Sequence, residues 1–115
     1  MVINYVPDRG DVVDLDFAPQ TGHEQSGRRP ALVLSPKAYN DKVGLGIFCP
    51  ITMKIKGYSF ETCIPDGLGV TGVILADQIK SLDWRARKAT FKCKLPPEVV
   101  DDCLEMVSTL LFESC

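Results

Sequence analysis

A small antiparallel β-barrel carrying one C-terminal α-helix is the fold this chain of 115 residues predicts, on three observations. Apolar runs of strand length recur as far as Lys94, divided by glycine, proline, asparagine and aspartate, the punctuation of short strands in a barrel or sandwich. The run Ala31-Leu32-Val33-Leu34, entered through Pro30, reads as a strand buried on both faces. Beyond Pro96 and Pro97 the period changes. Val99, Val100, Cys103, Leu104, Val107, Leu110 and Leu111 recur at steps of three and four, the stripe of an amphipathic helix.

The elements follow in order. Asp11–Phe17 alternates Val13, Leu15 and Phe17 against Asp14 and Asp16, as a half-buried strand does. Ala31–Ser35 is the buried strand, and Pro36–Asp41 a turn or short helical piece. Gly44–Thr52 holds Leu45, Ile47, Phe48 and Ile51, and its Pro50 marks an edge or a bulge. Short strands are expected at Ser59–Ile64, Gly72–Ala76, Gln78–Leu82 and Ala89–Lys94. In the tail, Pro96 and Pro97 start the helix, and Glu98, Asp101 and Asp102 suit the positive end of its dipole.

Length and composition describe one domain, 1–115, large enough for a core without disulfides or metal. No apolar stretch reaches membrane-span length, and Met1–Gly10 carries Asp8 and Arg9 without a signal-peptide core. A cytoplasmic location is expected, with no membrane partner. The five cysteines form no CxxC pair and no zinc-spaced cluster. They read as reduced structural thiols, with Cys115 exposed and oxidisable, and no metal or cofactor is expected. The net charge of −2 hides a split. From Leu95 onward the only charges are five acids, whereas the preceding residues hold all 13 Lys and Arg against ten acids. A basic middle beside an acidic tail suits a polyanion on one face, or is simply a mixed solvated surface.

The densest polar segment is Gly22-His23-Glu24-Gln25-Ser26-Gly27-Arg28-Arg29-Pro30. It places the only histidine, an acid, an amide and two arginines beside the buried strand, where rigid scaffolds present chemistry. Arg29 sits at the mouth of that strand, its planar fork able to meet a phosphate or carboxylate. A charged turn closed by an internal Glu-Arg pair is the other reading of the same residues.

Taken as an ordered set, these blocks resemble the MazF/PemK family of type II toxin–antitoxin toxins. The matching residues are Gly10-Asp11, Gly22-x-Glu24-Gln25-x-Gly27-x-Arg29-Pro30, Val33-Leu34-Ser35, Pro50-Ile51-Thr52 and the run Gly72 to Ser81. Tyr5-Val6-Pro7-Asp8, Lys56-Gly57-Tyr58 and Trp84-Arg85-Ala86-Arg87 place the resemblance closest to the MazF branch. The resemblance implies an SH3-like barrel of the CcdB/Kid/MazF type and a homodimer. It implies a metal-independent endoribonuclease that cuts single-stranded RNA at short sequences and is neutralised by a cognate MazE-like antitoxin. It also implies a catalytic set, Arg29, Thr52 and Glu24.

RNA carries its own nucleophile, the 2′-hydroxyl, so such an enzyme must share the 2′-proton, neutralise the phosphorane and protonate the 5′-oxygen. Arg29 suits the second task. As a proton donor it is poorly suited, with a pKa above ~12. The Thr52 hydroxyl can bond a non-bridging phosphate oxygen, or it can be an ordinary strand threonine bonded to backbone. Glu24 is a general base if it faces the 2′-hydroxyl; its separation of five residues from Arg29 favours a pair that orients the arginine. His23 is a proton carrier, a substrate contact or plain surface. Lys54 and Lys56 can hold phosphates or form a solubilising loop, Arg28 is a candidate substrate contact, and Gln25, Asp77 and Gln78 offer donors and acceptors to base edges. Tyr58 and Phe60 are candidates to stack on bases or to join the core, and Trp84 is a packing or dimer-interface anchor.

Two other functions compete. CcdB-like topoisomerase poisons share the scaffold but end in Trp-Gly-Ile, whereas this chain ends Leu111-Phe112-Glu113-Ser114-Cys115. A barrel used only as an interaction module would leave Arg29 and Thr52 dispensable.

Overall fold

The computed structural model describes residues 5–17 and 27–112. Within them run seven strands: β1 (Asp11–Phe17), β2 (Gly27–Val33), β3 (Gly46–Thr52), β4 (Glu61–Cys63), β5 (Val73–Leu75), β6 (Lys80–Leu82) and β7 (Thr90–Lys94). Helix α1 (Lys37–Val43) follows β2, a 3-10 turn at Ala76–Gln78 separates β5 from β6, and α2 (Pro97–Phe112) ends the described chain. All pairings are antiparallel, in the order β4-β5-β3-β2-β1-β7, with β6 also on β3.

The expected architecture is present with one difference. The sheet curls, helped by a register shift at Val12/Val13 between β1 and β7, as a bulge bends and twists a strand. Its end strands β4 and β7 nevertheless do not pair among the described residues, so hydrogen bonds do not close the barrel. Helix α2 covers one face instead of sealing the sheet's ends. Its Val99, Val100, Cys103 and Val107 pack on Val12, Leu32, Cys49 and Ile51. The opposite face of the same strands, Val13, Leu15, Ala31, Val33 and Phe48, packs with Leu82 and Trp84. This double burial accounts for the unbroken apolar run 31–34. Phe48 is fully buried, and its loss to alanine would cost about 3–5 kcal/mol.

Strand β3 is central, and Pro50 lies within it rather than at an edge. On one side β3 meets β2; on the other its residues Gly46–Phe48 meet β6 and Ile51–Thr52 meet β5. Cys49 and Pro50 fall at the switch between these partners, where a residue lacking an N–H leaves no ladder bond unmade. Trp84 is a packing anchor. It is 4 % exposed, and its Nε1 donates to the Asn40 carbonyl at 3.1 Å. Cys49 and Cys103 are buried and unbridged, and the Cys103 contact together with burial pushes the Cys49 thiol up, keeping it protonated. Cys115 lies outside the described residues. No helix among those described is long and apolar enough to cross a membrane.

Candidate active site

Strand alternation separates the two arginines. Arg29 pairs with Leu15 and Arg28 with Asp16, so their side chains leave opposite faces of β2. Arg28 is committed to the sheet. Its guanidinium donates to Asp16 Oδ1 (3.1 Å), the Asp14 carbonyl (3.2 Å), the Lys88 carbonyl (2.8 Å) and Thr90 Oγ1 (3.1 Å), stitching β2 to β1 and β7. Those bonds hold it away from the face that carries Arg29, and the structure does not bring it to the candidate catalytic pair. The strand itself begins four residues earlier than the apolar run implies, because Gly27–Pro30 pair with β1 despite their polarity.

Arg29 and Thr52 lie on neighbouring strands just past the end of their ladder. The β2–β3 pairing ends with Ala31 opposite Pro50; Arg29 and Thr52 are each two residues beyond that pair, so by strand alternation their side chains share the face of Ala31 and Pro50. Thr52 closes β3, where it pairs with Val73 of β5, and is 5 % exposed. Its backbone is pressed against Gly72, which has φ +116°; a Cβ there would lie 2.2 Å from the Thr52 carbonyl oxygen. Only glycine fits, on both counts. Thr52 Oγ1 accepts the Lys54 backbone N–H at 3.1 Å, which leaves the hydroxyl proton available to a ligand.

The loop after Thr52 carries the exposed Lys54 and Lys56, and it is tied down at two points. The buried Glu61 carboxylate accepts the backbone N–H groups of Lys56 and Gly57, each at 2.9 Å. The Tyr58 hydroxyl donates to Asp77 Oδ1 at 2.9 Å. Desolvation, reinforced by that bond, pushes the Tyr58 phenol up to about 12, so it remains a donor at neutral pH. Asp77 and the half-buried Gln78 lie in the 3-10 turn, so Gln78 does not open a strand as expected. Thr52, Lys54, Lys56 and Asp77 are thus linked through one loop. His23, Glu24 and Gln25 lie outside the described residues. Sequence reasoning missed Glu61; its only signal is a lone acid in the apolar run Phe60-Glu61-Thr62-Cys63-Ile64.

Among the described residues no cluster of three or more His, Cys, Asp or Glu is placed to hold a metal ion. What the site offers is a guanidinium, a hydroxyl and a lysine-bearing loop, a set suited to an anionic phosphodiester.

Comparison with known proteins bears on this arrangement. Residues 8–111 match the family model described as PemK-like, MazF-like toxin of type II toxin-antitoxin system. The chain is 52 % identical over 98 residues to the endoribonuclease toxin MazF of Escherichia coli K12, covering 85 % of this chain and 87 % of that one. Among solved structures it is similar to MazF from Deinococcus radiodurans, with a TM-score of 0.90, 53 % identity, and 94 % of this chain and 98 % of that one covered. It is also similar to MazF in a MazE–MazF complex from the same organism, with a TM-score of 0.87 and 52 % identity over 96 % of this chain and 100 % of that one. By the extent of the family match and by identity across most of its length, this chain belongs to the PemK-like, MazF-like toxins of type II toxin–antitoxin systems.

Proposed function

We propose that this protein is the endoribonuclease toxin of a type II toxin–antitoxin pair and that it cuts single-stranded messenger RNA in the cytoplasm without a metal ion. The observation that carries the reading is 52 % identity over 98 residues to an endoribonuclease toxin, and the position of Arg29 and Thr52 two residues past the Ala31–Pro50 pair on adjacent strands supports it.

The 2′-oxygen attacks the adjacent phosphorus and the bond from phosphorus to the 5′-oxygen breaks. The 2′-proton passes to a base, and the departing oxygen takes up a proton. The products are a 2′,3′-cyclic phosphate and a 5′-hydroxyl. Arg29 supplies fixed positive charge where the phosphorane gathers negative charge, commonly the largest catalytic contribution. The Thr52 hydroxyl donates to a non-bridging oxygen. Glu24 takes the 2′-proton or orients Arg29. Lys54 and Lys56 hold flanking phosphates, while Gln25, Asp77 and Gln78 read base edges.

The partner implied is a MazE-like antitoxin, as in the Deinococcus complex. An acidic segment that folds on binding would cover Arg29, Lys54 and Lys56. Incubation with a long unstructured RNA in EDTA, followed by mapping of the cut ends, tests the mechanism. Cleavage leaving 5′-hydroxyl ends is expected. Ends carrying a 5′-phosphate, or activity abolished by EDTA, would overturn it.

A further inference from the structure

Glu61 is a carboxylate that the proposed chemistry does not use. It opens β4, is 8 % exposed, and points back beneath the loop that follows Thr52. Burying a carboxylate is costly unless hydrogen bonds replace water. Here its two oxygens divide the work, Oε2 accepting the Lys56 N–H and Oε1 the Gly57 N–H. Gly57 has φ +80°, the left-handed backbone that turns consecutive N–H groups toward one anion. The protein thus fills this small anion cradle with its own side chain.

Apart from these bonds the loop is held by the Tyr58–Asp77 bond and the Lys54 N–H on Thr52, with no apolar anchor between them. Met53 is 76 % exposed and Ile55 63 % exposed, so neither anchors the segment in the core. Thr52 itself is fixed independently, by its pairing with Val73 and its contact with Gly72. Loss of Glu61 would therefore free the lysines while leaving the reacting hydroxyl in place.

We propose that Glu61 is a positioning residue for substrate binding: its buried carboxylate holds the loop that follows Thr52 in the conformation that presents Lys54 and Lys56 to the RNA backbone. The inference rests on the endoribonuclease reading, and wild-type cleavage assayed alongside reports on that reading by itself. Because the loop contributes binding rather than the reacting groups, its release should raise KM and leave kcat near the wild-type value.

The test uses Glu61→Ala, Glu61→Gln and Gly57→Ala. Glutamine offers one oxygen, so it keeps one of the two bonds and sets an amide N–H₂ against the other donor. Gly57→Ala has open space around the added Cβ and strains only the positive φ, leaving β4 and the core untouched. KM should rise on the order of ten-fold for Glu61→Ala, with Glu61→Gln between it and wild type. Gly57→Ala should shift KM in the same direction. Binding of a 2′-O-methyl RNA, which cannot react, should weaken in parallel. Faster amide hydrogen exchange at Lys56 and Gly57 in Glu61→Gln would report loss of the clamp without reference to activity. Wild-type KM in both Glu61→Gln and Gly57→Ala would overturn the proposal, and so would unchanged exchange at those two amides. If Glu61→Ala does not fold, the other two variants decide.

Discussion

Arg29 and Thr52 divide the work on the phosphate differently, and their variants should separate the two parts. Arg29→Ala removes charge and fork together and should lower cleavage by at least about a hundred-fold. Arg29→Lys restores the charge as a mobile point and should recover little, because one ammonium cannot span two phosphate oxygens. Thr52→Ser keeps the hydroxyl and should retain most activity, whereas Thr52→Val keeps shape and loses the donor. Thermal melts should place all four variants near wild type, since the exposed Lys54 amide that loses its Thr52 partner can turn to water. A wild-type rate for Arg29→Ala would remove that residue from the chemistry. The roles of both positions come from the resemblance to the MazF/PemK family; the residue pattern alone marks Arg29 only as an arginine beside a buried strand and Thr52 as an ordinary strand threonine as readily as a ligand. Glu61 was not legible in the sequence. Its importance comes from a carboxylate folding back on the N–H groups of residues 56 and 57, and backbone donors leave no trace in a side-chain pattern. Arg28, expected as a substrate contact, is instead bonded into the sheet on the face opposite Arg29.

The strands and α2 were readable in kind because their periods are strong, and their ends were not. Polar Gly27–Pro30 belong to β2 because β1 offers them a ladder, which is a tertiary fact that composition cannot express. Residues 76–78 wind into a 3-10 turn, where the pattern ends one strand at Ala76 and opens the next at Gln78. Helix α1 shows the same dependence on distant chain. Its N-cap position is Pro36, which offers no side-chain bond. The capping acceptor is Asp8, whose Oδ1 takes the Lys37 N–H at 2.9 Å and the Arg9 N–H at 2.9 Å. The Lys37 N–H is the largest influence holding the Asp8 carboxyl below its usual value, against some desolvation. A carboxyl lowered in the folded state contributes stability above its unfolded pKa of about 3.9 and loses it as pH falls through the folded value. Asp8→Asn keeps an acceptor for Lys37 but carries no charge. Wild type should therefore exceed Asp8→Asn by about 0.5 kcal/mol at pH 7, the low end for a cap because solvent screens the site. Urea midpoints should show that gap closing toward pH 3. An equal gap at both pH values would assign the effect to shape alone.

Charge and exposed apolar surface together frame how the whole protein meets its partners. The acids of α2, Glu98, Asp101, Asp102 and Glu105, are all exposed, opposite the stripe that packs on the sheet. The basic residues that could meet RNA lie before the helix, so the chain divides its charge between a polyanion-binding part and a helix face that repels one. The apolar surface points to self-association. Leu110, Leu111 and Phe112 end α2 at 43, 69 and 80 % exposure, and Phe91 on β7 is 53 % exposed, more than a small isolated chain ordinarily leaves to water in one terminal turn. A two-fold dimer would cover such surface and offer two copies of the Arg29–Thr52 site to one extended strand. Each RNA or antitoxin segment would then touch both subunits, and inhibition would weaken with salt while apolar contacts retain part of the affinity. Sedimentation equilibrium at micromolar concentration should return twice the chain mass of 12.7 kDa. Dilution toward the monomer should lower the cleavage rate per chain if the strand needs both subunits. A monomer that cuts at the full rate would show that each site is complete alone, and the shared-strand arrangement would fall with it.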